Sequence, residues 1–406
     1  MSDDVKTSAG EVDETTRRQA FETALDLLPK KLLEDEAVLG LKFPYVTDRE
    51  GRWKTMTAGR SAGYDGEAWS HGNWFCGFWV GLLLAAYLRT RNPEFIELAA
   101  ERMRLVERRK DDPNTHDIGF IFLSSAIPAF HVTRERWYME LAVRAAERLR
   151  ARLVVTPAGS YISSWGPHSD LRGRVSSAID TMANIPLLYW AAAHTGDGSF
   201  AAAGEAHAVM TCKAFIRDDY STYHAVEYDL ATGSRRHGYT FQGYSDESHW
   251  ARGQGWAIIG YAATAEATRN REYLDLACRL ADAFLERLGS APIPPWDFDD
   301  PAGHASTRDS SAGAIVANGL LKIAELHADK HERERRRLQA ERLMYNLCSY
   351  ALAKGALPRG LLDHGCYSKP HDEGTDGAVL FGDFYFTEAL CRLLMPGEFS
   401  AVAEPF

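Results

Sequence analysis

Twelve helix-patterned segments, separated alternately by short turns and long polar loops, constrain this chain more than any other feature. Apolar residues recur at three- and four-residue spacing over roughly 14–35, 73–91, 94–110, 118–132, 135–152, 176–195, 199–216, 248–268, 271–288, 310–328, 331–353 and 382–394. Strand-like alternation is brief. Short turns such as T-R-N-P, T-G-D-G and T-R-N-R join an even-numbered segment to the next, and longer loops precede each even-numbered one. A short turn makes consecutive helices antiparallel neighbours, so alternating long loops collect at one end. Six such hairpins describe two concentric helix layers: the expected fold is all-α, an (α/α)6 barrel, and the similar turns form a faint internal repeat. Glycine- and alanine-rich segments such as G-F-W-V-G-L-L-L-A-A belong in the inner ring. Segments charged on one face, such as R-E-R-W-Y-M-E-L-A-V-R-A-A-E-R-L-R, belong outside. Residues 223–241 read as a small β-hairpin in the longest polar loop.

Residues 1–13 are expected to be a disordered tail and 14–406 a single catalytic domain, since no linker or composition shift divides the 406 residues. A net charge of −10, with no basic tract, argues against a nucleic-acid partner. The longest apolar run, Phe78 to Leu88, is too short to span a bilayer, so no membrane partner is expected. Six scattered cysteines without a C-x-x-C pair suit buried thiols in a reducing compartment rather than disulfides or zinc. With no apolar leader at the N-terminus, a cytoplasmic location is the expectation. The histidines are too scattered for a metal site, and no dinucleotide, phosphate-loop or G-x-S-x-G motif occurs, so neither metal nor cofactor is expected. The pairs Asp111-Asp112, Asp218-Asp219 and Asp299-Asp300 resemble the acidic pairs of terpenoid synthases, but none extends to D-D-x-x-D and they read as solvated loops.

In such a barrel the long loops meet the N-termini of the inner helices, which favour anions. Chemistry-bearing residues collect there: Trp74, His116, Asp117, Asp180, Gln242, Arg252, Asp309 to Ser311 and Asp383 to Tyr385. Asp117, Asp309 and Asp383 stand where helix caps are expected, and capping is the plainer role for each. Asp180 differs, because an aspartate between Ala178-Ile179 and Thr181-Met182-Ala183 sits in an apolar helix pattern and needs a partner or a purpose. The densest stretch is Y-T-F-Q-G-Y-S-D-E-S-H-W-A-R-G-Q-G-W, residues 239–256, which opens as a polar loop and runs into a helix. Arg252 and Trp256 share one face there, suiting a pocket for a flat, oxygen-rich anion, and a helix capped by Ser245 or Asp246 is the alternative.

The motifs H-D-I-G-F, A-I-D-T-M-A-N-I-P-L-L, G-Y-T-F-Q-G-Y-S-D-E-S-H-W-A-R-G-Q-G-W, W-D-F, R-D-S-S-A and G-D-F-Y-F-T-E-A-L run in this order from about Phe43 to Leu394. Together they resemble the unsaturated glucuronyl hydrolases of glycoside hydrolase family 88. The resemblance implies an (α/α)6 barrel that removes a 4,5-unsaturated uronic acid from the non-reducing end of lyase-generated oligosaccharides. It implies that Asp180 is the general acid/base and Asp117 the second essential aspartate, preceded by His116. It also implies that Trp74 and Trp165 line the sugar subsites, with His224, Gln242, Arg252 and Trp256 around the uronate. Phe241 stands where some relatives have a histidine. The loop H-G-C-Y-S-K-P-H offers Ser368 and Lys369, and fits only in part the Ser/Lys loop of members that prefer sulfated substrates.

The expected partners are therefore unsaturated uronate di- or oligosaccharides, handled by a monomer or weak homo-oligomer. The substrate's C4=C5 bond is an enol ether, so one carboxyl can protonate C4 and then deprotonate water that adds at C5. An unsaturated rhamnogalacturonyl hydrolase acting on pectin fragments, with the same chemistry, is the nearest alternative reading. A non-catalytic sugar-binding barrel is the alternative from another class.

Overall fold

The computed structural model describes residues 12–60, 67–354 and 359–403, so all but the end of the expected N-terminal tail lies outside the described residues. The helices come in pairs. α2 (Cys76–Thr90) returns as α3 (Glu94–Val106), and α4 (Ile118–Leu123) with α5 (Ala126–Thr133) returns as α6 (Arg136–Arg150). After the short α7 (Arg172–Val175), α8 (Pro186–Thr195) pairs with α9 (Gly198–Phe215), and α10 (Ala251–Thr268) with α11 (Arg271–Leu288). α12 (Ser310–Leu326) pairs with α13 (Lys330–Tyr350), and α14 (Leu380–Leu394) packs on α1 (Glu14–Leu39) before the terminal α15 (Pro396–Ala403).

The repeated turn has a common chemistry. Thr90, Thr133, Thr195 and Thr268 each end a helix, their hydroxyls donating to the carbonyls of Ala86, Ala129, Ala191 and Thr264 at 2.7–2.9 Å. Each hydroxyl also accepts from the N–H two residues on. The residue between is left-handed: Arg91, Arg134, Gly196 and Arg269 have φ of 59, 61, 76 and 57°. In two of these turns the next residue caps the outgoing helix, Asp197 accepting from Ser199 N and Asn270 from Glu272 N. The chain thus reverses in three residues, which forces the antiparallel pair.

α2, α4, α8, α10, α12 and α14 touch in a closed cycle and form the inner ring. α10 and α12 are buried almost all round, whereas α6 and α11 bury one stripe. Small residues set the spacing: a Cβ on Gly77 of α2 would stand 2.1 Å from the Ile121 carbonyl oxygen, and one on Gly260 of α10 2.5 Å from that of Met182. No helix among the described residues is long and apolar enough to cross a membrane.

Two expected helices are interrupted. The segment 118–132 breaks at Ser124 and Ser125, whose hydroxyls donate back to Phe120 O and Ile121 O and end α4. The segment 176–195 begins instead as a strand, β5 in the numbering below, followed by a 3-10 turn over Ile179–Ala183, and its helix starts only at Pro186. Pairing of Ser176-Ser177-Ala178 with a neighbouring strand outweighs the local helical pattern, and Pro186 is preorganised for a first helical turn.

Among the described residues, four small antiparallel sheets lie in the long loops. They are β1 (Phe43–Thr47) with β2 (Trp53–Met56), β3 (Leu153–Thr156) with β4 (Gly159–Ile162), and the three-stranded β5 (Ser176–Ala178), β6 (Ala225–Tyr228) and β7 (Arg235–Tyr239). The last pairs β8 (Gly365–Ser368) with β9 (Glu373–Gly377). The hairpin expected at 223–241 is β6–β7, enlarged by β5; the other three sheets were not legible in the sequence.

Candidate active site

A cavity of about 400 Å³ opens among the loops that lead into the inner helices. Its lining includes Trp74, His116, Asp117, Trp165, Asp180, His224, Gln242, Arg252, Trp256 and Ser368. Of the residues that the family resemblance assigns to the site, Lys369 is the exception. It is exposed on the 3-10 turn after β8 and does not line the cavity, whereas the preceding Ser368 is buried and bonded to His371 Nδ1 at 2.7 Å.

The two carboxylates reach the cavity from different local structures. Asp117 precedes α4 without capping it. Its Oδ2 accepts from His71 Nδ1 (2.8 Å) and from the Thr115 hydroxyl (3.1 Å). Thr115 and His116 are held by the 164–165 segment, through a bridge to Trp165 and a bond from His116 N to Ser164 O at 2.8 Å. Asp180 stands on the 3-10 turn rather than within a helix. Backbone bonds fix that turn on both sides, Ile179 N donating to His224 O and the Asn184 side chain to Asp180 O, each at 2.9 Å. The Asp180 side chain is partly accessible from the cavity, yet its Oδ1 is enclosed and has no hydrogen-bond partner.

Their environments push the two acids apart. Burial raises Asp180 to about 7, the Asp117 charge adds to this, and Arg252 opposes it. Burial would also raise Asp117, but His116, His71 and Thr115 outweigh it and leave the group at about 2. The donors to Oδ2 carry that direction, because burial keeps His116 itself on the neutral side. Below about pH 7 the Asp180 carboxyl is therefore mostly protonated while Asp117 is ionised.

Arg252 is a strut rather than an open clamp. Its Nη1 donates to Asp309 Oδ2 (2.6 Å) and Cys366 O (2.5 Å), its Nη2 to Tyr367 O (2.6 Å) and Gln242 Oε1 (3.2 Å). Asp309 also caps α12 through Ser311 N, so the capping role expected of it is present alongside an ion pair. Asp383 caps nothing; it accepts from Leu361 N and Leu362 N, away from the cavity. The Arg252 guanidinium lies over Trp250 and Phe381 at 4.7 and 5.1 Å.

His224 lies against Trp250 at 4.2 Å, tilted by 35°, and its Nδ1 accepts from Phe241 N–H (3.2 Å) and the Thr240 hydroxyl (2.9 Å). Burial first, then Arg252 and His116, lowers the ring to about 3. The neutral imidazole consequently carries its proton on Nε2, a donor available to a ligand. Gln242, its oxygen held by Arg252, offers its amide N–H in the same way. Trp74 stacks on Phe381 (5.3 Å, 17°), while Trp165 meets Phe241 edge-on at 5.4 Å, so aromatic faces wall the cavity.

Trp69, His71, Tyr367, His371 and Glu373 also line it, and sequence reasoning missed all five. They lie in loops and β-hairpins without helical periodicity; the one available signal was His71, three residues before Trp74 in H-G-N-W. His249, prominent in the sequence, binds Asp219 and Asp299 instead and does not line the cavity. Asp112, expected in a solvated loop, is buried against Arg109 and Arg60. No cluster of metal-ligating side chains occurs among the described residues.

No protein-family model matches the chain. An unsaturated glucuronyl hydrolase of Bacillus sp. (strain GL1) is 32% identical over 382 residues, 93% of this chain and 96% of that protein. An unsaturated chondroitin disaccharide hydrolase of Streptococcus pyogenes serotype M1 is 30% identical over 378 residues, covering 91% and 90%. The crystal structure of the unsaturated glucuronyl hydrolase from Bacillus sp. GL1, responsible for the degradation of glycosaminoglycan, matches with a TM-score of 0.84 at 31% identity, over 95% of this chain and 98% of that one.

Proposed function

Because this chain belongs to the unsaturated glucuronyl hydrolase family, we propose that its cavity removes a 4,5-unsaturated uronic acid from the non-reducing end of lyase-generated oligosaccharides. The observation that carries this reading is the inequivalent carboxyl pair lining one cavity, Asp180 raised to about 7 and Asp117 lowered to about 2. The names of the relatives favour a glucuronyl over a rhamnogalacturonyl substrate.

Protonated Asp180 delivers its proton to C4 of the enol ether as the π electrons form the C4–H bond. Positive charge develops at C5 and is shared with the ring oxygen. The Asp180 carboxylate then takes a proton from a water whose oxygen bonds to C5, restoring the acid. The product is a hemiketal at C5, which opens to a keto-uronate and releases the aglycone. A hydration needs no carboxylate nucleophile, so the separation rules for retaining and inverting glycosidases do not apply. Ionised Asp117 keeps Asp180 protonated and opposes the positive charge at C5. His224 Nε2–H and the Gln242 amide present donors to the uronate oxygens, and Trp74, Trp165 and Trp256 supply apolar walls.

Incubation with unsaturated chondroitin, hyaluronan or gellan disaccharides, without added metal, is expected to erase the ultraviolet absorbance of the conjugated double bond. Persistence of that absorbance with every uronyl substrate, or its loss with rhamnogalacturonan fragments alone, would overturn the reading. The same assay reads the protonation state. Asp180 acts in its protonated form, so kcat is expected to hold below pH 7 and to fall as pH rises through about 7. A rate that climbed through that range would contradict the acid role.

We also place the activity in one catalytic unit from residue 14 onward, in a reducing cytoplasmic compartment. The six cysteines, none in a disulfide, support that location, and thiol trapping that recovered a native disulfide would count against it.

A further inference from the structure

We propose that His71 is a positioning residue of this reaction, fixing Asp117 in the ionised state and orientation that the acid on Asp180 requires. The geometry makes it the principal donor. Asp117 is flanked by two imidazoles, but the ring N–H of His116 is spent elsewhere, Nδ1 donating to Ser164 O at 2.8 Å. The other nitrogen, His116 Nε2, lies 3.2 Å from Asp117 Oδ1 and makes no hydrogen bond. His71 Nδ1, 2.8 Å from Oδ2, is therefore the one imidazole that donates to this carboxylate, and the Thr115 hydroxyl at 3.1 Å supplements it.

The loop bearing His71 is built to hold it there. Arg109, 2% exposed, donates from Nη2 to His71 O (2.7 Å) and from Nη1 to Asn73 O (2.9 Å) and Ala58 O (3.0 Å). The imidazole packs edge-on against Trp165 and His116 at 6.0 and 6.3 Å. Asp117 is buried while the His71 side chain is 41% exposed, so this charge-assisted bond is enclosed on the carboxylate side, where it counts for most. The charged and titratable groups facing Asp117 are His71 from the loop before α2, neighbouring His116, Arg152 after α6, Asp180 on the 3-10 turn and Tyr367 on β8. Removing the His71 donor leaves only His116 and the Thr115 hydroxyl against burial, so the Asp117 carboxyl moves upward. Asp117 then begins to take up a proton within the working pH range, and the charge that keeps Asp180 protonated is lost.

The inference rests on the activity proposed above, and the test separates the two. Wild-type, His71→Ala, His71→Asn and His71→Gln enzymes are compared for kcat and KM on one unsaturated uronyl disaccharide across the acid range. His71→Ala is expected to lose about 10- to 100-fold in kcat with KM little changed. Its acidic limb is expected to move to higher pH. Asn places an amide N–H near the Nδ1 position and should restore most of the rate and the limb; Gln, reaching toward Nε2, should not. If His71→Ala does not fold, the Asn–Gln contrast decides alone. An unmoved acidic limb, or Asn no better than Gln, would overturn the role of His71. A wild-type enzyme without turnover would overturn the activity itself.

Discussion

Asp180→Asn is expected to lower kcat by about 10⁴-fold, near the upper end for loss of a single general acid–base group, with KM little changed. An amide can neither deliver a proton to C4 nor accept one from water, and the proposed reaction draws both transfers from this side chain. The substitution keeps the shape of the cavity and the hydrogen-bonding size of the group, so binding survives. Equilibrium binding of the unsaturated disaccharide beside steady-state kinetics separates the two effects. Turnover within about tenfold of wild type would remove Asp180 from the mechanism.

The same variant is expected to be more stable than wild type above pH 7. In the unfolded chain Asp180 ionises near the ordinary aspartate value of 3.8, and in the folded protein only near 7. Between those values the folded state binds more protons than the unfolded state, so this group's contribution falls as pH rises and stays low above 7. Asn has no charge to desolvate. A midpoint of unfolding at pH 8 below that of wild type would show that burial does not destabilise the ionised Asp180.

Arg252→Ala is expected to cost about 3–5 kcal/mol of stability, the range for breaking a buried ion pair from one side. The reason lies in what the guanidinium joins. Asp309 is fully buried with Oδ2 at 2.6 Å from Arg252 Nη1, and the carbonyls of Cys366 and Tyr367 turn inward to the same group. Removing it strands a carboxylate and two carbonyls, and leaves β8 joined to the N-terminus of α12 through the Cys366 N–H to Asp309 Oδ1 bond (3.3 Å) and the neighbouring Ser310 N–H to His364 O bond (2.8 Å). Arg252→Lys should recover only part of the loss, because one ammonium cannot serve Asp309, two carbonyls and Gln242 at once. Urea unfolding measures this through the midpoint at constant slope. A midpoint unchanged in Arg252→Ala would mean that the pair contributes nothing net and that Arg252 is better regarded as a ligand contact.

Much of the site was legible before the fold. Asp180 stood out as a carboxylate in an apolar context, and the 239–256 stretch announced itself by density; the structure brings Asp180, Gln242, Arg252 and Trp256 to one cavity. The role of Arg252 was less legible. Sequence spacing put it beside Trp256 and suggested an anion clamp, whereas Asp309, 57 residues away, takes one terminal nitrogen of the guanidinium. Lys369 follows Ser368 directly, yet β8 ends at the serine, and the 3-10 turn that follows leaves the lysine exposed and outside the cavity lining.

The barrel itself was settled locally. Helical periodicity, the threonine-centred turns and the alternation of loop lengths act within about twenty residues, and they are written where they act. Tertiary structure decided what the loops do when six of them meet over one opening. The strand and 3-10 turn that carry Asp180 arise because β5 pairs with β6, about 50 residues on. The bond between His71 and Asp117 spans 46 residues. Such contacts leave no periodic trace, because the energy that selects them comes from groups brought together only after the rings have closed.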